Sequence, residues 1–182
     1  MMPLTGPQLA TLKADILAKM AAGQPLESVA SSSPGDPDAN TFIAAYYNAI
    51  ASPDYWVWRS SVTKGELVNS VGPEGTSFNW VGNGFITRQP GEQTAWQELF
   101  NGTNTVNASQ TNVRQAFADI FSGSGNAAAN RTHLLSIARR KAKRGERLFV
   151  VGPGNGTTGN PDNLGFEGNL TINDIEAART LP

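Results

Sequence analysis

The chain has 182 residues, 39% of them hydrophobic and 16% charged, with a formal net charge of -1. That length and composition suit one folded domain, and the charge argues against a uniformly basic nucleic-acid binder. Cysteine is absent, which excludes disulfides, thiolate metal sites and a cysteine nucleophile, and the single histidine, His133, excludes a histidine-based metal cluster.

From the N-terminus, Leu9, Leu12, Ile16 and Met20 recur at helical spacing behind a capping-box pair, Thr5 and Gln8, and predict an amphipathic helix over 5–20. Lys13, Asp15 and Lys19 interrupt that pattern, so it fits neither a secretory segment nor a membrane span, and a soluble, intracellularly made protein is expected. A Ser/Pro/Gly-rich loop follows. A second helix in "DANTFIAAYYNAIA" places Phe42, Ile43, Tyr46 and Ile50 on one face and ends at Ser52-Pro53.

The run "SPDYWVWRSSV" suits a helix with Ser52 as N-cap and Pro53 at its first position, and its aromatic residues suit a strand equally; a helix is the choice made on the cap. A second capping box, Thr63 and Glu66, opens a short helix. Residues 72–92 mix turn residues with Phe78, Trp80, Val81, Phe85 and Ile86 and read as an irregular loop or a hairpin turning at Gly82-Asn83-Gly84. Two further helices carry Trp96, Leu99 and Phe100, and then Val113, Phe117, Ile120 and Phe121; each stops at a glycine, Gly102 and Gly123.

The longest helical pattern spans 131–148, with Asn130 or Thr132 as cap and Leu134, Leu135, Ile137, Ala138, Ala142 and Gly145 as a narrow apolar stripe. At 100° per residue, Arg140, Lys143, Arg144 and Arg147 form a basic stripe with Arg139 beside it. Those residues form either a solvated face or a contact for phosphates or an acidic surface. His133, with no acidic neighbour in sequence, is expected at the surface or next to the cap.

After Leu148–Val151, the glycines Gly154, Gly156 and Gly159 satisfy G-x-G-x-x-G, the spacing that lets backbone approach a pyrophosphate at a helix N-terminus. The context argues otherwise. Asn160-Pro161-Asp162-Asn163 disfavours a helix, too little chain follows for a second parallel strand, and no lysine occurs beyond Lys143 to serve a P-loop. The loop instead reads as the connection of a hairpin pairing 148–151 with 166–170, or as an arm ordered by a neighbouring subunit. Thr171 and Asp174 then cap a terminal helix.

The fold expected is therefore mainly α, a compact single domain over 1–182 with six to eight short helices, a small C-terminal β-hairpin and flexible loops near 22–38, 72–92 and 152–165. The sequence carries no catalytic signature, and neither a metal nor a cofactor is expected.

"LTGPQLATLKADI", "ASPDYWVWRSSV", "NVRQAFADIFSG", "RRKAKRGERLF" and "FEGNLTINDIEAAR", in that order, resemble a family of small proteins encoded in tailed-phage and prophage structural gene clusters. The resemblance implies a head-to-tail connector or adaptor: a homo-oligomeric ring between portal and tail proteins, in the neck or tail region of a virion assembled in the host cytoplasm. Non-specific contact with packaged DNA and no membrane association go with that role. The interaction candidates are Arg139, Arg140, Lys143, Arg144 and Arg147 with Gly154, Gly156 and Gly159. The competing expectation is a phage-encoded regulator that reads DNA with the helix 131–148.

Overall fold

The computed structural model describes residues 3–182. In chain order the elements are α1 (Gly6–Lys19), α2 (Pro37–Asn48), β1 (Trp56–Trp58), β2 (Val62–Thr63), α3 (Lys64–Asn69), α4 (Pro90–Glu98), β3 (Thr105–Val106), α5 (Thr111–Ile120), α6 (Asn126–Ile137), β4 (Arg139–Lys141), α7 (Arg144–Arg147) and α8 (Ile172–Thr180). Single 3-10 turns lie at Glu27–Val29 and Gly82–Gly84. The protein is mainly α; β1 pairs with β4, and β2 pairs antiparallel with β3, Val62 opposite Val106.

The described chain forms two compact units. The first takes the chain up to Tyr55, then Lys141–Gly152 and Leu164–Pro182; the second takes Trp56–Arg140 and Pro153–Asn163.

In the first unit, Leu12 and Ile16 of α1, Ile43 and Tyr47 of α2, and Ile175 and Ala178 of α8 close one apolar core with Leu26, Phe149 and Leu170. The expected caps hold two of these helices: Thr5 Oγ1 accepts from Gln8 N, and Thr171 Oγ1 accepts from Asp174 N at 3.1 Å. Arg179 of α8 reaches back to the Ser/Pro/Gly-rich loop. It donates to Asn40 Oδ1 at 2.6 Å and to the Ser32 carbonyl at 2.8 Å, and Asn40 in turn donates to the Pro34 carbonyl at 2.8 Å.

The second unit is built on aromatic packing. Trp96 is 1% exposed and meets Phe121 edge-on with ring centroids 5.3 Å apart, while Phe78 stacks on it at 5.7 Å. Phe117, Val62, Leu67 and Leu134 complete the core. One face of α6 organises residues 72–92: Asn130 donates to the carbonyls of Asn79 and Gly84 at 2.9 and 3.0 Å and accepts from Asn79 N at 2.7 Å, and Asn126 donates to the Val81 carbonyl at 3.1 Å. That segment is a loop pinned from above, with one 3-10 turn at Gly82–Gly84 where a hairpin turn was the alternative.

Several sequence expectations are corrected. The helix expected over 131–148 stops at Ile137. β4, Arg139–Lys141, follows and then the short α7, so no continuous groove-reading helix exists and the basic residues share no single helical stripe. The apolar positions themselves stand, since Leu134, Ala138 and Ala142 are fully buried. The reason for the break is pairing: Arg59 N donates to the Ala138 carbonyl at 2.9 Å, so β1 claims this stretch of backbone. For the same reason "YWVW" is a strand, not a helix.

The α2 face is rotated from the one expected: Ala39, Ile43, Ala44 and Tyr47 are buried, whereas Phe42 and Ile50 are about half exposed. Asn130 is a buried clamp rather than a cap, the α6 N-cap being Gly125. His133 is fully buried, not at the surface. Its Nε2 lies 2.9 Å from the Leu67 carbonyl and its Nδ1 3.1 Å from Thr76 Oγ1. Because a carbonyl only accepts, Nε2 carries the hydrogen and Nδ1 receives the threonine hydroxyl. Of the expected C-terminal hairpin, the structure has a single bridge, Val150 with Leu164, and α8 is the last element.

Candidate functional site

The glycine loop shows first what it is built for. Gly154 packs so closely on the returning chain that a Cβ there would lie 2.4 Å from the Pro161 carbonyl oxygen and 2.7 Å from Asp162 Cα. Gly156 has φ +74°, in the left-handed region. A Cβ on Gly159 would meet nothing within 4 Å. Two of the glycines thus serve the loop's own geometry, and the loop spends its backbone groups on β1: Trp56 N donates to the Gly156 carbonyl at 2.7 Å, Asp162 N to the Trp56 carbonyl at 3.0 Å, and Trp58 N to the Asp162 carbonyl at 2.9 Å. No helix opens after Gly159, where a dinucleotide loop needs one.

That loop and β1 frame an arginine cluster in the second unit. Val57 is fully buried, while Trp56 and Trp58 are half-buried, with Trp58 packed against the edge of the core. Arg114 of α5 lies over the Trp58 ring, 4.6 Å from its centroid, and Arg139 over the Trp56 ring at 5.7 Å. Arg114 is fixed further by the carbonyls of Ala108 and Ser109 at 2.6 and 2.8 Å, and burial lowers its pKa. Arg139 donates to the Thr158 carbonyl of the glycine loop. Trp58, Thr111, Gln115, Arg114, Arg139 and Gly159 line a cleft of about 320 Å³.

A second cluster belongs to the first unit. Arg144 stacks over Tyr46 at 4.5 Å, and Arg147 over Tyr55 at 5.1 Å. Arg144, Arg147 and Tyr46 line, with Lys19, Asp15 and Tyr47, a cleft of about 310 Å³. The Tyr47 hydroxyl donates to Asp15 Oδ2 at 2.6 Å, and burial, reinforced by that carboxylate, pushes the phenol well above its ordinary range.

The expected interaction residues therefore divide. Arg139 and Gly159 meet in the cleft of the second unit, and Arg144 and Arg147 meet in that of the first. Lys143 turns to Asn169 Oδ1 at 2.7 Å, Arg140 sits half-buried in β4, and Gly154 and Gly156 are structural. Sequence reasoning missed Arg114, Lys19 and the half-buried aromatic platforms. The signal for the platforms was present in "DYWVWR", whose alternation around Val57 is that of a strand with one buried side. For Arg114 and Lys19, single charges on helix surfaces, nothing local marks them.

Among the described residues no group of three or more His, Asp or Glu side chains could hold a metal, and no helix is long and apolar enough to cross a membrane. No family model matches the chain, and no curated protein or solved structure matches it.

Proposed function

We propose that the chain is a non-enzymatic structural protein of a tailed-phage particle, a head-to-tail connector whose copies form a ring between portal and tail in the neck region. The order of the motifs quoted above suggests the role. The observation that carries an interaction role is the pair of arginine–aromatic clusters: Arg114 on Trp58 with Arg139 on Trp56, and Arg144 on Tyr46 with Arg147 on Tyr55. Arg, Trp and Tyr dominate the energetics of protein interfaces. A guanidinium already held over a ring has lost much of its rotamer freedom, so less is left to lose on binding. Such surfaces suit portal, tail and sister subunits, and the positive charge tolerates packaged DNA in a channel.

The test is location. Cryo-microscopy and mass spectrometry of particles made by the phage that encodes the chain should find a ring at the portal vertex, and absence from purified particles would sink the proposal. In the same particles, Arg114→Glu with Arg139→Glu should reduce tail attachment if the cluster of the second unit faces a partner.

A further inference from the structure

The cleft of the first unit has a charge composition that its own structure leaves uncompensated. Lys19, Arg144 and Arg147 converge on it, against one carboxylate, Asp15, so that three cations and one anion leave two positive charges. Asp15 is moreover engaged by the Tyr47 hydroxyl at 2.6 Å. Neither Lys19 nor Arg147 has an ion-pair partner among the described residues. Arg144 spends one nitrogen on the Tyr46 carbonyl at 3.2 Å, and its other guanidinium nitrogens have no hydrogen-bond or ion-pair partner among the described residues. Arg147, over Tyr55, keeps all of its guanidinium donors without a partner among the described residues.

We propose that this cleft is a binding site for a phosphomonoester dianion, either inorganic phosphate or a phosphate at the end of a small ligand. A phosphomonoester carries about -1.5 to -2 charges at neutral pH, matching the excess, whereas a carboxylate or a backbone phosphodiester carries only one. Planar guanidinium forks meet phosphate oxygens bidentately, and the lysine adds a mobile point charge. A volume of about 310 Å³ holds a phosphate with a small group attached and sits at the lower end of the range for small-molecule sites. The inference stands apart from the connector reading and survives its failure.

The experiment is a titration of the whole chain with inorganic phosphate at fixed ionic strength, followed by calorimetry and by amide NMR shifts. Saturable binding is expected, with shifts centred on Lys19, Tyr46 and Arg147. Arg147→Gln and Lys19→Gln should each weaken it about tenfold, the loss of one charge-assisted hydrogen bond. Asp15→Asn, which still accepts from Tyr47, should tighten it severalfold, a gain that misfolding cannot imitate. Lys64→Gln, in the other unit, should leave it unchanged. Adenosine 5′-monophosphate binding more tightly than phosphate identifies a larger ligand, and equal binding identifies the free ion. The proposal is overturned if phosphate fails to saturate by about 10 mM, if Arg147→Gln and Lys19→Gln bind as wild type does, or if citrate or an unphosphorylated DNA oligonucleotide binds more tightly than phosphate.

Discussion

Asn130 and Asn79, 51 residues apart in sequence, exchange two hydrogen bonds: Asn79 N donates to Asn130 Oδ1 at 2.7 Å, and Asn130 Nδ2 donates to the Asn79 carbonyl at 2.9 Å. A side-chain amide thereby stands in for a strand partner, and with a third bond to the Gly84 carbonyl it satisfies the backbone of a segment that has no ladder of its own. Asn130 is fully buried, so nothing else can reach those groups when it is removed.

Asn130→Ala should therefore destabilise the protein by about 3 kcal/mol, the cost of stranding buried donors and acceptors. Denaturant unfolding measures the loss, and hydrogen exchange should show residues 79–84 opening first. A change below about 0.5 kcal/mol would mean that water replaces the amide.

His133 gives a pH signature. Burial lowers its pKa, with the hydrogen bond to the Leu67 carbonyl acting in the other direction. The unfolded chain then binds a proton more readily than the folded one, so the full stability holds above the unfolded value of about 6.5 and is lost as pH falls through the depressed folded value. Wild type should lose melting temperature between pH 7 and pH 5 more steeply than His133→Gln. Parallel curves would contradict the assignment.

The glycine loop separates by position. Gly154→Ala forces a Cβ against the Pro161 carbonyl and should cost about 1–3 kcal/mol, because backbone must move. Gly159→Ala meets open space and should leave stability within about 0.5 kcal/mol. Denaturant unfolding of the two variants measures the difference, and equal losses would contradict the open space at Gly159.

Arg179 closes the Ser/Pro/Gly-rich loop through Asn40 and Ser32. Arg179→Ala should speed proteolysis between residues 30 and 36 and lower stability by about 1–2 kcal/mol, while Arg179→Lys, lacking the fork, rescues little. Unchanged cleavage would show that the loop is held by its own turns.

What was legible in the sequence was local. Thr5 with Gln8, Thr63 with Glu66 and Thr171 with Asp174 cap helices as their spacing requires, because a cap is settled within four residues. The apolar positions of α1, α4 and α5 face the cores as their periodicity demands. The stretch from Arg139 to Arg147 failed for the opposite reason. Its Arg, Lys and Ala residues are good helix formers, but its partner is Trp56–Trp58, about 80 residues earlier, and pairing at that range leaves no trace in local propensity. The two clefts were half legible: Arg139, Arg144 and Arg147 could be counted in sequence, but Arg114 and the rings beneath the four arginines could not be matched to them.

Both backbone edges of β1 are occupied, Arg59 bonding toward Ala138 on the β4 side and Trp56 and Trp58 toward Gly156 and Asp162 on the other. A strand so sealed cannot recruit another chain by adding it to a sheet. Two copies of the chain that meet are thereby kept from fusing edge to edge through this aromatic segment. Any contact made there has to go through side chains, which can be released again.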